Sequence, residues 1–193
     1  MHVHTHELDA PASANTASTS TAQARLPTNS VYHLHVPLTD QNGRTWQLDE
    51  LAGRPVLVSM FYGSCKFVCP ILIDTLRATS EQLQPLDRDR VVRLLVSIDP
   101  ARDSVAALAR LGEVHKLDPA RWTLARTDAK SVRKLAAVLG IQYRALPDGE
   151  FNHSTELILL DTQGHITART AKMGAVDAAF VRQVSTAAAA TRP

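Results

Sequence analysis

The stretch "PVLVSMFYGSCKFVCPIL", residues 55–72, decides how this chain is read. Its first part, Pro55 to Phe61, is a continuous apolar, β-rich run, as expected of a strand covered on both faces. From Phe67 onward the spacing of Val68, Leu72, Leu76 and Leu83 is helical. It predicts a helix to about Gln84 that stops before Pro85. Cys65 and Cys69, the two cysteines of the chain, stand at this strand-to-helix junction with three residues between them.

Working outward, "VVRLLVSI" (Val91 to Ile98) reads as a second buried strand. Ser104 can cap a helix carrying Val105, Leu108 and Leu111, and residues 121–126 read as a short strand. Asp128 can cap a helix with Val132, Leu135, Ala136 and Leu139 on one face and Gly140 as its stop. "ELILLDTQGHITART" reads as strand, turn and strand, with the turn at Asp161 to Gly164. Val176, Phe180, Val181 and Val184 mark a last helix. Ahead of all this, "HLHVPLTDQNGRTWQL" holds two short runs around Asn42-Gly43, a strong hairpin signal. Strands alternating with helices, closed by a hairpin and a helix, indicate an α/β chain with a mixed central sheet, helices on both faces and an N-terminal β-hairpin. A thioredoxin-like fold has this order.

The length of 193 residues fits one domain, and 45% hydrophobic residues suffice for a core. The net charge is +2 with charges of both signs interspersed, and aromatic residues make up only 5%. No basic run marks a nucleic-acid track, so no nucleic-acid partner is expected. No stretch is long and apolar enough to span a bilayer, and the N-terminus lacks the layout of a secretory signal. Residues 1–30, rich in Ala, Ser and Thr, are expected to form a disordered tail or tether, with the folded domain over 31–190.

Two cysteines form no disulfide framework, so their role is chemical. A helix N-terminus favours thiolate over thiol, and Lys66 adds a positive charge beside the pair. Pro70 suits a helix opening, where its missing N–H costs little. Two such thiolates can close a disulfide or grip one soft metal ion. C-x-x-C would favour a thioredoxin-type oxidoreductase, whereas the extra residue here leaves room for a metal. Cu(I) or Zn(II) suits thiolates and calls for a third ligand.

Histidine is the obvious third ligand, and eight are present. His153, in "GEFNHSTELILLD", precedes a β-rich run, and in a thioredoxin-like sheet the loop before that strand lies beside the cysteine turn. His165 reads as a solvated turn residue and His115 as a helix-end residue. His33 and His35 are expected to alternate along an exposed strand face. His2, His4 and His6 form an H-x-H-x-H tract able to bind divalent metals.

"FYGSCKFVCP", "VSIDPARDS" and "FNHSTELILLDTQGHI" together resemble, in order and spacing, the SCO/SenC family of copper-binding cytochrome c oxidase assembly proteins. The resemblance covers roughly Val31 to Val184. It implies a thioredoxin-like domain on a membrane tether, in the bacterial periplasm or mitochondrial intermembrane space. For this chain it implies a periplasmic protein whose anchor lies outside the given sequence. It implies copper, as Cu(I), Cu(II) or both, held by Cys65, Cys69 and His153. Asp99, in the family's S-x-D-P stretch, is assigned a supporting role, while Arg102 and Asp103 read as a loop ion pair and a helix start. The chain departs from many members at Lys66, where they carry proline.

The expected function is that of a copper metallochaperone, a monomer that takes copper from a donor and passes it to cytochrome c oxidase subunit II or a similar copper protein. The alternative is a thiol–disulfide oxidoreductase in which Cys65 and Cys69 are the redox-active pair and keep the client's cysteines reduced.

Overall fold

Asn42 and Gly43 sit where their backbone chemistry requires, in the tight turn joining β1 (Pro37–Asp40) to β2 (Thr45–Gln47). The computed structural model describes residues 26–191. His2, His4 and His6, and most of the expected tail, therefore lie outside the described residues. At residue 26 the chain is already packing, since Leu26 lies against the core.

A seven-stranded sheet forms the centre, in the order β2-β1-β5-β4-β3-β8-β9. Its middle strands are β3 (Val56–Phe61), β4 (Val92–Ser97) and β5 (Trp122–Arg126). β3 pairs with β4, and β4 with β5, in parallel. β8 (Leu157–Leu160) runs antiparallel to β3, and β9 (Ile166–Thr170) completes that side. Every residue of β3, β4 and β8 is buried, so both faces of the sheet centre are covered. The mixed sheet with covering helices is the thioredoxin-like arrangement the element order indicates.

Helix α1 (Val68–Glu81) buries Leu72, Ile73 and Leu76 on one face. It ends three residues before the predicted limit. α2 (Pro85–Arg90) then starts at Pro85 itself: the proline that closes one helix opens the next at its first position, where no N–H is needed. α3 (Val105–Val114) is capped by Ser104, and α4 (Ala129–Leu139) by Asp128 with Gly140 left-handed at φ 70° after it. α5 (Ala178–Ala189) is capped by Asp177 and buries Phe180 and Val184.

Two expectations need correction. Val31–Leu34 is a short 3-10 helix rather than a strand, and His35 is left-handed at φ 45°. His33 and His35 therefore share no strand face; His33 bonds the Pro27 carbonyl at 2.9 Å and His35 lies 3.9 Å from Asp49. The fold here is fixed by Ser30, whose hydroxyl caps Tyr32 and bonds the Gln163 carbonyl. Secondly, His165 is only a quarter exposed and bonds Asp161 at 3.0 Å, so it locks the β8–β9 turn instead of standing in solvent.

A separate two-stranded sheet was not foreseen. β6 (Tyr143–Ala145) pairs antiparallel with β7 (Phe151–His153), placing Tyr143 opposite His153. Pro147-Asp148-Gly149 makes the turn, with Gly149 at φ 85°, a conformation that suits glycine.

Candidate functional site

β3 ends at Phe61, and the next four residues carry the chain over the top of the sheet to Cys65. Gly63 is the tight point of this crossing. Its N–H donates to both carboxylate oxygens of Asp103, at 3.2 and 3.0 Å. A Cβ at Gly63 would lie 2.6 Å from Asp103 Oδ1, so only glycine allows this approach. Asp103 also accepts the Ser97 hydroxyl from the end of β4. The carboxylate beneath the cysteine loop is therefore Asp103, a buried group that does more than precede a helix start.

Cys69 is the second residue of α1 and is buried; Cys65 is half-buried in the loop before it. The thiols are free, and the Cys69 N–H points at Cys65 Sγ at 3.4 Å. Their acidities diverge. Burial works to raise the Cys65 thiol, but hydrogen bonds from the N–H groups of Cys69 and Phe67, the Cys69 thiol and the Tyr62 hydroxyl overcome it, so its pKa is lowered. Burial dominates at Cys69, and the nearby Cys65 and Asp103 charges add to it, so that thiol is raised.

His153 closes strand β7 rather than standing in a loop. Its Nδ1 lies 3.1 Å from the Ser154 carbonyl, which fixes the ring with Nδ1–H donating and the Nε2 lone pair free. Nε2 is buried without a hydrogen-bond partner. Burial lowers the His153 pKa, so the ring is neutral and fit to be a ligand.

Tyr62 stands between the two. Its ring packs edge-on against His153 with centroids 5.6 Å apart, and its hydroxyl also bonds the Glu150 carboxylate at 3.0 Å and the Phe151 carbonyl at 3.3 Å. With this spacer present, no three His, Cys, Asp or Glu side chains among the described residues are close enough to hold a metal. The thiols and His153 are brought to one end of the sheet but not into contact as ligands.

Asp99 reaches the site indirectly. It is buried and pairs with Arg102, whose guanidinium bonds the Gly149 carbonyl and lies 5.8 Å over the Phe151 ring. The Asp99–Arg102 pair thus clamps the hairpin that carries His153. The sequence reading missed Tyr62, Glu150 and Asp103 as site residues. The signal for Asp103 lay in "SIDPARD", where Ser97 and Asp103 bracket one loop and bond each other.

Phe67 is 79% exposed, with Val68 and Ile71 also open to solvent, so the thiols sit inside an apolar rim.

A family model described as SCO1/SenC matches residues 27–188. The mitochondrial protein SCO2 of Saccharomyces cerevisiae is 29% identical over 66% of this chain and 43% of its own length, so the chain matches less than half of that relative. Bradyrhizobium japonicum ScoI with copper bound superposes with a TM-score of 0.62, covering 81% of this chain and 97% of that one at 24% identity. BsSco, in a structure identifying a disulfide switch, gives a TM-score of 0.65 over 79% of this chain and 91% of that one at 17% identity.

Proposed function

The chain belongs to the SCO1/SenC family, and from that premise we propose that it binds copper through Cys65, Cys69 and His153 and helps assemble the copper centre of cytochrome c oxidase. The observation that carries this reading is the buried, unpartnered Nε2 of His153 at the thiol end of the sheet. A buried lone pair without a donor costs free energy unless something occupies it. Two thiolates and a neutral imidazole form a soft donor set suited to copper. Copper is cargo here. A three-ligand site with an open side passes the ion on by ligand exchange, and the apolar rim at Phe67 gives a client such as oxidase subunit II a surface to meet.

Since Tyr62 separates the ligands, loading requires the β6–β7 hairpin to close on Cys65. Asp99 then acts through Arg102, by steering that hairpin. The proposed binding unit is the folded domain, in which Leu26 and Ser30 are already packed, held in the periplasm by a tether. No helix among the described residues is long and apolar enough to cross a membrane.

The test is a copper titration of the reduced protein, with His2, His4 and His6 replaced by Ala to silence the tract. One tightly held copper, lost in both Cys65→Ser and His153→Ala, supports the site. Unchanged retention in Cys65→Ser overturns it.

A second reading is favoured by the opposed thiol acidities. The Cys65 thiolate attacks a client disulfide, forming a mixed disulfide and releasing one client thiolate. Cys69, once deprotonated, attacks Cys65 Sγ and releases the second, leaving a Cys65–Cys69 disulfide and a client reduced by two electrons. His153→Ala would leave this exchange intact while removing copper.

A further inference from the structure

A second charged site lies at the opposite end of the sheet. The parallel strands start there with Val56 beside Val92, and finish at the thiol end with Phe61 beside Ser97. Between the starts of β4 and β5 is a pocket of about 300 Å³, lined by Arg54, Asp89, Arg93, Arg121 and their neighbours. Three guanidinium groups and one carboxylate thus line it, with Asp118, which is not among the lining residues, also pairing with Arg121 at 3.5 Å.

Arg93 is the central group. It is only 3% exposed, a rare state for arginine. Its hydrogen bonds go to uncharged oxygens: the Ser80 hydroxyl at 2.8 Å and the carbonyls of Arg88 and Arg121 at 3.1 and 3.4 Å. A guanidinium carries five N–H donors, so two are left for another acceptor. No ion pair among the described residues includes Arg93. Asp89 instead pairs with Arg121 at 3.0 Å. Burial, then the positive charges of Arg121 and Arg88, push Arg93 down to about 10, so it stays charged at neutral pH. A buried charge surrounded by like charges is costly unless an anion compensates it.

We infer that this pocket binds a phosphate group through the guanidinium groups of Arg54, Arg93 and Arg121. Phosphate fits because planar guanidinium forks meet its oxygens in pairs, and a tetrahedral anion can engage several forks at once. The group could be inorganic phosphate or the headgroup of an anionic phospholipid. The location gives the second source a consequence. The chain enters the fold at this same end, where Val31 N–H bonds the Gly164 carbonyl and Gly53 N–H bonds the Thr162 carbonyl. A headgroup held here would turn the thiol end away from the bilayer.

The test uses the full chain, copper-free and reduced, in a phosphate-free buffer. Inorganic phosphate is titrated calorimetrically into the wild type, the double variant Arg54→Gln/Arg121→Gln and Arg93→Lys. The double variant changes only exposed side chains, and its melting temperature checks the fold. In parallel, each protein is sedimented with vesicles of phosphatidylglycerol or of phosphatidylcholine. The expected result is one phosphate per chain, bound roughly tenfold more weakly in the double variant. Phosphate binding without sedimentation identifies free phosphate as the source. Sedimentation with phosphatidylglycerol alone, abolished in the double variant, identifies the headgroup. Neither saturable phosphate binding nor sedimentation, or binding unchanged in the double variant, overturns the site.

Discussion

The rings of Tyr62 and His153 meet edge to face, 5.6 Å apart at 76°. The hydroxyl of the same tyrosine is shared between Glu150 and the Phe151 carbonyl, and its presence beside Cys65 favours that thiolate. One phenol therefore touches both proposed ligand types and holds them apart. Changes at Tyr62 should register at the thiol and at the hairpin together.

Tyr62→Phe keeps the ring and deletes the hydroxyl. Cys65 loses a donor that favours its thiolate, so its alkylation at pH 7 should slow by about 2- to 5-fold. Stability should drop by about 1 kcal/mol through the lost bond to Glu150. Pseudo-first-order iodoacetamide kinetics and urea unfolding measure the two effects. Unchanged alkylation would show that the hydroxyl does not govern the thiol.

Asp103→Ala removes the acceptor shared by the Gly63 N–H and the Ser97 hydroxyl. Two partly buried donors lose their partner, which should cost about 1–3 kcal/mol. Gly63→Ala attacks the same contact from the other side, placing a Cβ 2.6 Å from Asp103 Oδ1. A similar loss of about 1–3 kcal/mol is expected from overpacking. The double variant should cost less than the sum of the two, because each alone destroys one shared contact. Full additivity in urea unfolding would contradict the coupling.

The depressed pKa of His153 has a definite sign in the pH dependence of stability. The unfolded chain takes up the proton first. The contribution of the neutral, buried ring is therefore fully present above the unfolded pKa of about 6.5. It is lost as pH falls from there through the folded value. Between pH 7 and 5 the copper-free wild type should lose more stability than His153→Gln, which lacks this group. Parallel curves for the two proteins in guanidinium unfolding would refute a depressed His153.

Copper capture must displace protons, since ligand sulfurs bind as thiolates. The raised Cys69 is protonated at neutral pH, whereas the lowered Cys65 releases its proton more readily. Binding at pH 7 should thus release at least about one proton per copper, and retention should weaken in acid. Calorimetry in buffers of different ionisation enthalpy counts the protons. A release near zero would mean that Cys69 is not a ligand.

Most of the sheet was legible because its signals are local. The mostly apolar, β-rich runs of β3, β4 and β8 read as buried strands despite Ser59 and Arg93 within them, and Ser104 and Asp128 cap the helices they precede. The departures arise where distant contacts overrule local pattern. His33 and His35 alternate as in a strand, yet the Gly164 carbonyl engages Val31 and the Ser30 hydroxyl caps Tyr32, which fits the 3-10 turn at Val31–Leu34. The β6–β7 hairpin is short and polar, with no periodicity to announce it. It forms because Phe151 packs on Tyr62, with ring centroids 5.2 Å apart, and Arg102 holds its tip.

By itself the sequence determined the α/β order, the junction that carries Cys65 and Cys69, and the short list of histidines from which His153 was drawn. These follow from spacing and from residue chemistry, which act over a few positions along the chain. Only the tertiary structure decided that Asp103 rather than Asp99 lies beneath the cysteine loop, that Tyr62 parts His153 from the thiols, and that Arg93 is buried among like charges. Each of these joins residues from separate elements, and their burial and mutual field exist only once the sheet has assembled.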